Sequence, residues 1–180
     1  MAIIKPNNNT LSAITALPAA IPTGKVLQIV STTKTDTYEE SVGTGSFSSI
    51  VTGLTASITP SATSSKILIF VNMSVGANGD HGLRFQLFRD TTQIDLANAD
   101  SSRPRLSKGT TFTGGNGTAI NFSTNFLDTP STTSSTTYGV KIGHTSSSSK
   151  TMYINRTQDD FDLATYGRAT SAITVIEIAG

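Results

Sequence analysis

The groups in this chain that could do chemistry are two histidines, twelve carboxylates and a large stock of hydroxyls; there is no cysteine. A serine nucleophile needs a base within hydrogen-bond reach and an acid to orient that base. His81 lies in the Gly-rich run Gly76 to Gly82, and His144 opens the hydroxyl-rich run His144 to Ser149. No G-x-S-x-G elbow accompanies either one, and both read as solvated loop residues. Asp159, Asp160 and Asp162 offer oxygens that suit a hard cation, but the glycine and distal glutamate of an EF-hand loop are missing. The run reads as an acidic turn paired with Arg156 or Arg168. Glycoside hydrolysis needs two carboxylates facing each other across a cleft; Glu39 and Glu40 are adjacent in sequence, Glu177 is near the C-terminus, and nothing selects a pair. Arg103 and Arg105 flank Pro104 on an exposed turn, which fits a salt-bridged loop and a ligand site equally well. No metal site is expected.

The composition narrows the class of protein. Ser and Thr exceed a quarter of the 180 residues, while hydrophobic residues make up 36% and charged residues 14%, both below ordinary globular values. That balance suits many short strands with hydroxyl-rich outer faces and turns. A net charge of +1 speaks against a nucleic-acid binder, which shows a basic face. The absence of cysteine removes disulfides and cysteine-based zinc sites. The opening MAIIKPNNNT lacks the apolar core of a signal peptide, and no apolar run approaches the ~20 residues of a membrane helix. The expectation is synthesis in the cytoplasm without membrane insertion, with assembly into a particle left open.

The elements that must position any site are strands. Thr59 to Val75, TPSATSSKILIFVNMSV, opens with a turn and then places Ile67, Ile69, Val71, Met73 and Val75 on one face at the two-residue period of β structure. Leu68 and Phe70 fall on the other face, so the run Ile67 to Val71 is expected to be covered on both sides. Further strands are expected at Lys25 to Thr33, Phe47 to Ile58 with a break at Gly53, Leu83 to Leu87, Gln93 to Ala97, Ile120 to Phe126, Thr136 to Gly143, Lys150 to Arg156 and Ser171 to Ile178. Thr32 to Ser46 reads as a polar loop. Asn98 to Thr118 reads as a long loop with room for a short strand at Thr110 to Thr113, and Thr157 to Thr170 as a second long loop. About nine short strands and no persuasive helix after residue 24 predict an all-β fold, an antiparallel jelly-roll-like β-sandwich.

Residues 1–24 read as an extended N-terminal arm preceding the sandwich domain of residues 25–180. Pro18 and Pro22 each remove a backbone donor and push the preceding residue toward extended structure. Leu11, Ile14, Leu17 and Ile21 between and before them fit a short amphipathic helix on the domain or a linear anchor docking on another protein. The prolines bracketing LPAAIP favour the anchor.

Five segments together carry a resemblance: GKVLQIVSTTKTDT (Gly24 to Thr37), GLTASITPSATSSKILIFV (Gly53 to Val71), LFRDTTQI (Leu87 to Ile94), FLDTPSTTSSTTYGVKI (Phe126 to Ile142) and SAITVIEIAG (Ser171 to Gly180). In this order they resemble a bacteriophage virion domain common in marine and cyanobacterial phages, of the tail-fibre or virion structural kind. The resemblance implies a jelly-roll-like sandwich, a homotrimer, no cofactor and no enzymatic activity. It also implies location on the virion, with partners among other capsid or tail proteins. The family occurs on heads and on tail appendages, and this chain lacks the shaft repeats of long tail fibres. The leading expectation is therefore a trimeric fibre or knob attached by its arm and contacting a glycan or protein of the host surface. A capsid decoration protein is the alternative within the class, and a jelly-roll carbohydrate-binding protein the alternative outside it.

Successive connections of an antiparallel sandwich alternate between its two ends. With the arm entering at the particle side, the far end is expected to hold Thr32 to Ser46, Gly76 to Gly82, Asn98 to Thr118 and His144 to Ser149. The near end is expected to hold the Asp90 turn, Thr129 to Ser135 and Thr157 to Thr170. Loops on a rigid scaffold are where recognition sits, so His81, Arg103, Arg105 and Asn116 are the expected host-facing residues.

Overall fold

Period-two burial runs through the strands that build the core. Along Ser171–Ile178 every second residue is buried and its neighbours are half-buried, the pattern of a sheet with one face turned inward. The computed structural model describes residues 25–180; the arm and its Leu11, Ile14, Leu17 and Ile21 lie outside the described residues. Eleven strands follow in order: β1 (Val26–Lys34), β2 (Tyr38–Val42), β3 (Thr55–Ile58), β4 (Lys66–Ala77), β5 (His81–Arg89), β6 (Thr92–Ile94), β7 (Lys108–Phe112), β8 (Ala119–Asp128), β9 (Thr136–His144), β10 (Lys150–Ile154) and β11 (Ser171–Ile178).

The pairing is nested. β1 pairs with β11, β3 with β9, β4 with β8, and β5 with β6 and β7, all antiparallel. The nested pairs are shared between two antiparallel sheets, the arrangement of a jelly-roll-like β-sandwich. The first sheet runs β8–β4–β11–β1, with β10 and β2 continuing beside the C-terminal end of β4. The second runs β3–β9–β5, flanked by β6 and β7. Ile67, Ile69, Val71, Met73 and Val75 point from β4 into the core and meet Leu83, Phe85 and Leu87 of β5 and Tyr138, Val140 and Ile142 of β9. Phe85 and Phe122 stack with ring centroids 3.7 Å apart and join the sheets near mid-height.

Two ends follow from the registers. Val26, Ile178, Lys66 and Asp128 mark the end where the chain enters, called proximal below. Lys34, Ser171, Ala77 and Ala119 mark the distal end.

Several expectations need correction. The polar loop Thr32 to Ser46 contains β2, which pairs with β10; with Val42 its one buried apolar residue, the segment lacks a hydrophobic alternation to betray it. Phe47 to Ile58 is a strand only at Thr55–Ile58, because Gly53 turns the chain with a φ of +77° and Phe47 makes just an isolated bridge to Gly143. The short strand foreseen at Thr110 to Thr113 is β7, Lys108–Phe112. Strands β2 and β7 raise the count from about nine to eleven. Ile67 to Val71 is covered on one face only: Phe70 is 44% exposed and Leu68 half-buried within the chain.

Candidate functional site

Two buried polar side chains, Glu177 and Asn155, are partnered within the fold. Glu177, fully buried on β11, accepts from Gln28 Nε2 at 2.6 Å, from the Ser61 backbone N–H at 2.7 Å, and from the Ser61 and Ser65 hydroxyls at 2.6 Å each. Burial alone would raise its pKa, but these donors outweigh burial and bring it down to about 2. Asn155 donates to the carbonyls of Lys34 and Asp36 and accepts from the Ser171 hydroxyl. Its φ of +64° suits asparagine, which with aspartate takes this conformation more readily than other non-glycine residues. Such networks fix loops and strand ends.

His81 and His144 are not the solvated loop residues the sequence suggested. His81 opens β5 and His144 closes β9, so pairing brings them together at the distal end with ring centroids 5.5 Å apart. His144 is fully buried. Its Nδ1 accepts from the Ser146 N–H, so Nε2 carries the proton and donates to Val42 O at 2.8 Å. Both ring nitrogens of His81 are buried, and the ring packs toward Phe112. His81 is therefore at the expected end but does not present its nitrogens to solvent. Among the described residues no serine hydroxyl bonds to either ring.

The other expected host-facing residues separate. Asn116 lies in the distal β7–β8 connection, where its carbonyl accepts from the Asp159 N–H at 3.0 Å. Arg103 and Arg105 do not join it. They sit in the β6–β7 connection on the flank of the second sheet, where Arg103 pairs with exposed Asp100 at 2.9 Å. The Arg105 guanidinium donates to Ala97 O, and its own carbonyl accepts from Gln86 and Gln93. The near-end assignment of Thr157 to Thr170 also fails. This segment joins Ile154, opposite Val75, to Ser171, opposite Lys34, and so belongs to the distal half. The extra strands changed the count on which the alternation rested.

The acidic run is a paired turn, as its sequence suggested. Asp160 takes a two-pronged contact from Arg168, at 3.2 and 2.6 Å, and lies 3.6 Å from Arg156 Nε. Its pKa is lowered, first by the Arg168 hydrogen bonds. Among the described residues no group of three or more His, Asp or Glu stands together to hold a metal ion.

The surface that sequence reasoning missed is the outer face of the first sheet. Cross-strand register lines up Ile29 of β1, Ile176 of β11, Leu68 of β4 and Leu127 of β8 in one row across four strands. Ile29 is 61% and Leu127 47% exposed, and Val26 and Phe70 extend the patch to either side. Beyond the row, Phe70 borders a hollow of about 330 Å³ floored by Asn72, Ser123, Asn125, Ala172 and Thr174. Of the outward positions on these four strands only Lys66 is charged. An antiparallel sheet that faces water is ordinarily polar on that side; a contiguous apolar row there marks a surface made to be covered. The signal was present in the sequence as Leu68 and Phe70 within the apolar run, but the register that aligns four strands was not.

No protein-family model matches the chain, and a search of curated proteins finds no match. Among the described residues the geometry defines a class: a jelly-roll-like β-sandwich with an apolar row exposed on one outer sheet face.

Proposed function

We propose that this protein is a structural component of a bacteriophage virion, a homotrimeric fibre or knob domain held to the particle by residues 1–24 and turned toward the host surface at its distal end. The observation that carries the assembly part is the row Ile29–Ile176–Leu68–Leu127 on an outer sheet face with one charge. Burying such side chains against a second copy is worth about 1.5–3 kcal/mol for each one fully covered, and closed rotational symmetry is the usual way identical chains share such a surface. The number three and the virion location rest on the five ordered segments that resemble phage virion domains.

The test is mass in solution. Sedimentation at micromolar concentration is expected to return three times the chain mass for the intact protein, and the chain mass for Leu68→Glu/Leu127→Glu with its melt still cooperative. A monomer for the unaltered protein, or a trimer indifferent to both charges, would overturn this assembly. Labelled images of particles decide the location.

A further inference from the structure

The connection between β10 and β11 carries large apolar side chains in the open. Phe161 and Leu163 are each 60% exposed. They are not on a loose strap. The Thr157 hydroxyl caps Asp159 O at 2.6 Å, the Asp159 N–H bonds to Asn116 O, Tyr166 N–H returns to Leu163 O at 3.0 Å, and Ala169 N–H reaches Asn155 O at 3.1 Å. Phe161 and Tyr166 meet edge to face, centroids 5.4 Å apart and planes at 83°. Together with Asp160, Asp162, Leu163 and Arg168 they line a hollow of about 420 Å³, within the usual range for a small-molecule site.

The lining selects among ligands. Two carboxylates against one guanidinium disfavour an anion. Asp160 is already engaged by Arg156 and Arg168, which leaves too few free oxygens for a bare cation. A wholly apolar ligand would desolvate the Asp160–Arg168 pair without replacing its water. A neutral sugar ring fits: its C–H face lies on an aromatic ring, and its hydroxyls both accept from an arginine and donate to a carboxylate. We propose that this hollow binds a neutral carbohydrate, with the exposed Phe161 ring as the platform for one sugar ring, Tyr166 bracing Phe161 edge to face, and Asp162 and Arg168 as the sugar's polar contacts. The inference rests on the host-facing reading only for the source of the sugar, through the distal position of the loop.

The experiment follows the aromatic ring signals of the full chain by NMR during titration with methyl β-glucoside, methyl α-mannoside and N-acetylglucosamine, each also as a disaccharide. Saturable shifts of Phe161 and Tyr166 are expected with at least one sugar. Affinity is expected to fall at least ten-fold in Phe161→Ala and in Asp162→Ala, both exposed positions, and to stay unchanged in Arg103→Ala. Tighter binding of the disaccharide points to a surface glycan as the source, and equal binding to a free sugar. Unmoved ring signals throughout, or variants that bind as the parent does, overturn the proposal. So does a change of sedimentation mass in Phe161→Ala, which would make the loop a contact between copies. A sugar shift in a protein missing from particles would sink the virion reading alone; a particle protein without the shift would sink this site alone.

Discussion

Arg89 of β5 grips Asp128 of β8 across the space between the two sheets, its Nη1 3.0 Å from Oδ1 and 2.9 Å from Oδ2. Tyr138 of β9 donates its hydroxyl to the same Oδ2 at 2.7 Å. Three strands from both sheets are thus tied at the proximal end by one carboxylate that is 6% exposed. Burial, and then the bond to Asp128, pushes the Tyr138 pKa upward, so it remains a donor. Asp128→Ala strands both partners and is expected to cost about 3–5 kcal/mol, measured by urea unfolding at neutral pH. Asp128→Asn keeps the shape and an acceptor and is expected to cost less. A loss below about 1 kcal/mol for Asp128→Ala, the scale of an exposed pair, would show that the tie is dispensable.

Glu177 sets an acid limit. Its pKa is about 2 in the fold against 4.5 ordinarily. A depressed carboxylate contributes stability that is fully present above its unfolded pKa and lost as pH falls through the folded one. The window is therefore about pH 4.5 down to 2. Glu177→Gln is expected to lower stability at pH 7 by about 1–3 kcal/mol and to flatten that window. Denaturation curves at pH 7, 4 and 3 check it; an unchanged acid slope in the variant would remove Glu177 as the cause.

His81 acts in a higher window. Burial lowers its pKa first, with His144 and Lys150 adding to the fall; Asp80 and the Gly79 backbone oppose it. Neither ring nitrogen makes a hydrogen bond of normal geometry. Arg84, three residues along β5, donates to the His144 carbonyl. A histidine with a depressed pKa contributes full stability above its ordinary value of 6.5 and loses it as pH falls below that value toward the folded pKa. His81→Phe is expected to remove this loss and, by deleting two unpaired nitrogens, to gain about 1 kcal/mol at neutral pH. Thermal melts of both proteins at pH 7.5 and 5.0 decide it, and a parallel drop in the two would exclude His81.

Deleting Met1 to Thr23 is expected to leave a folded domain. β1 begins at Val26 opposite Ile178, and the Ala179 N–H bonds to Lys25 O at 3.0 Å, so the pairing of β1 with β11 uses residues from 25 onward. A single cooperative melt within a few degrees of the full chain is the expected result, with attachment to particles lost. An insoluble truncation would put residues 1–24 in the core.

The sequence by itself determined what depends on near neighbours. Alternation in Lys66–Ala77 and Ser171–Ile178 named the core strands and their inward faces, because side chains on a strand must alternate whatever lies beside it. It also named the paired acidic turn at Asp160, where the partner Arg168 is eight residues away. Only the tertiary structure decided what depends on register between distant strands. Ile29 and Leu127 are 98 residues apart and belong to one apolar row because β11 and β4 stand between them. Half-buried His81 and buried His144 became neighbours because β5 and β9 pair with Leu83 opposite His144. β2, with a single buried apolar side chain, is a strand because β10 offers it an edge, and no local pattern records the offer of a partner.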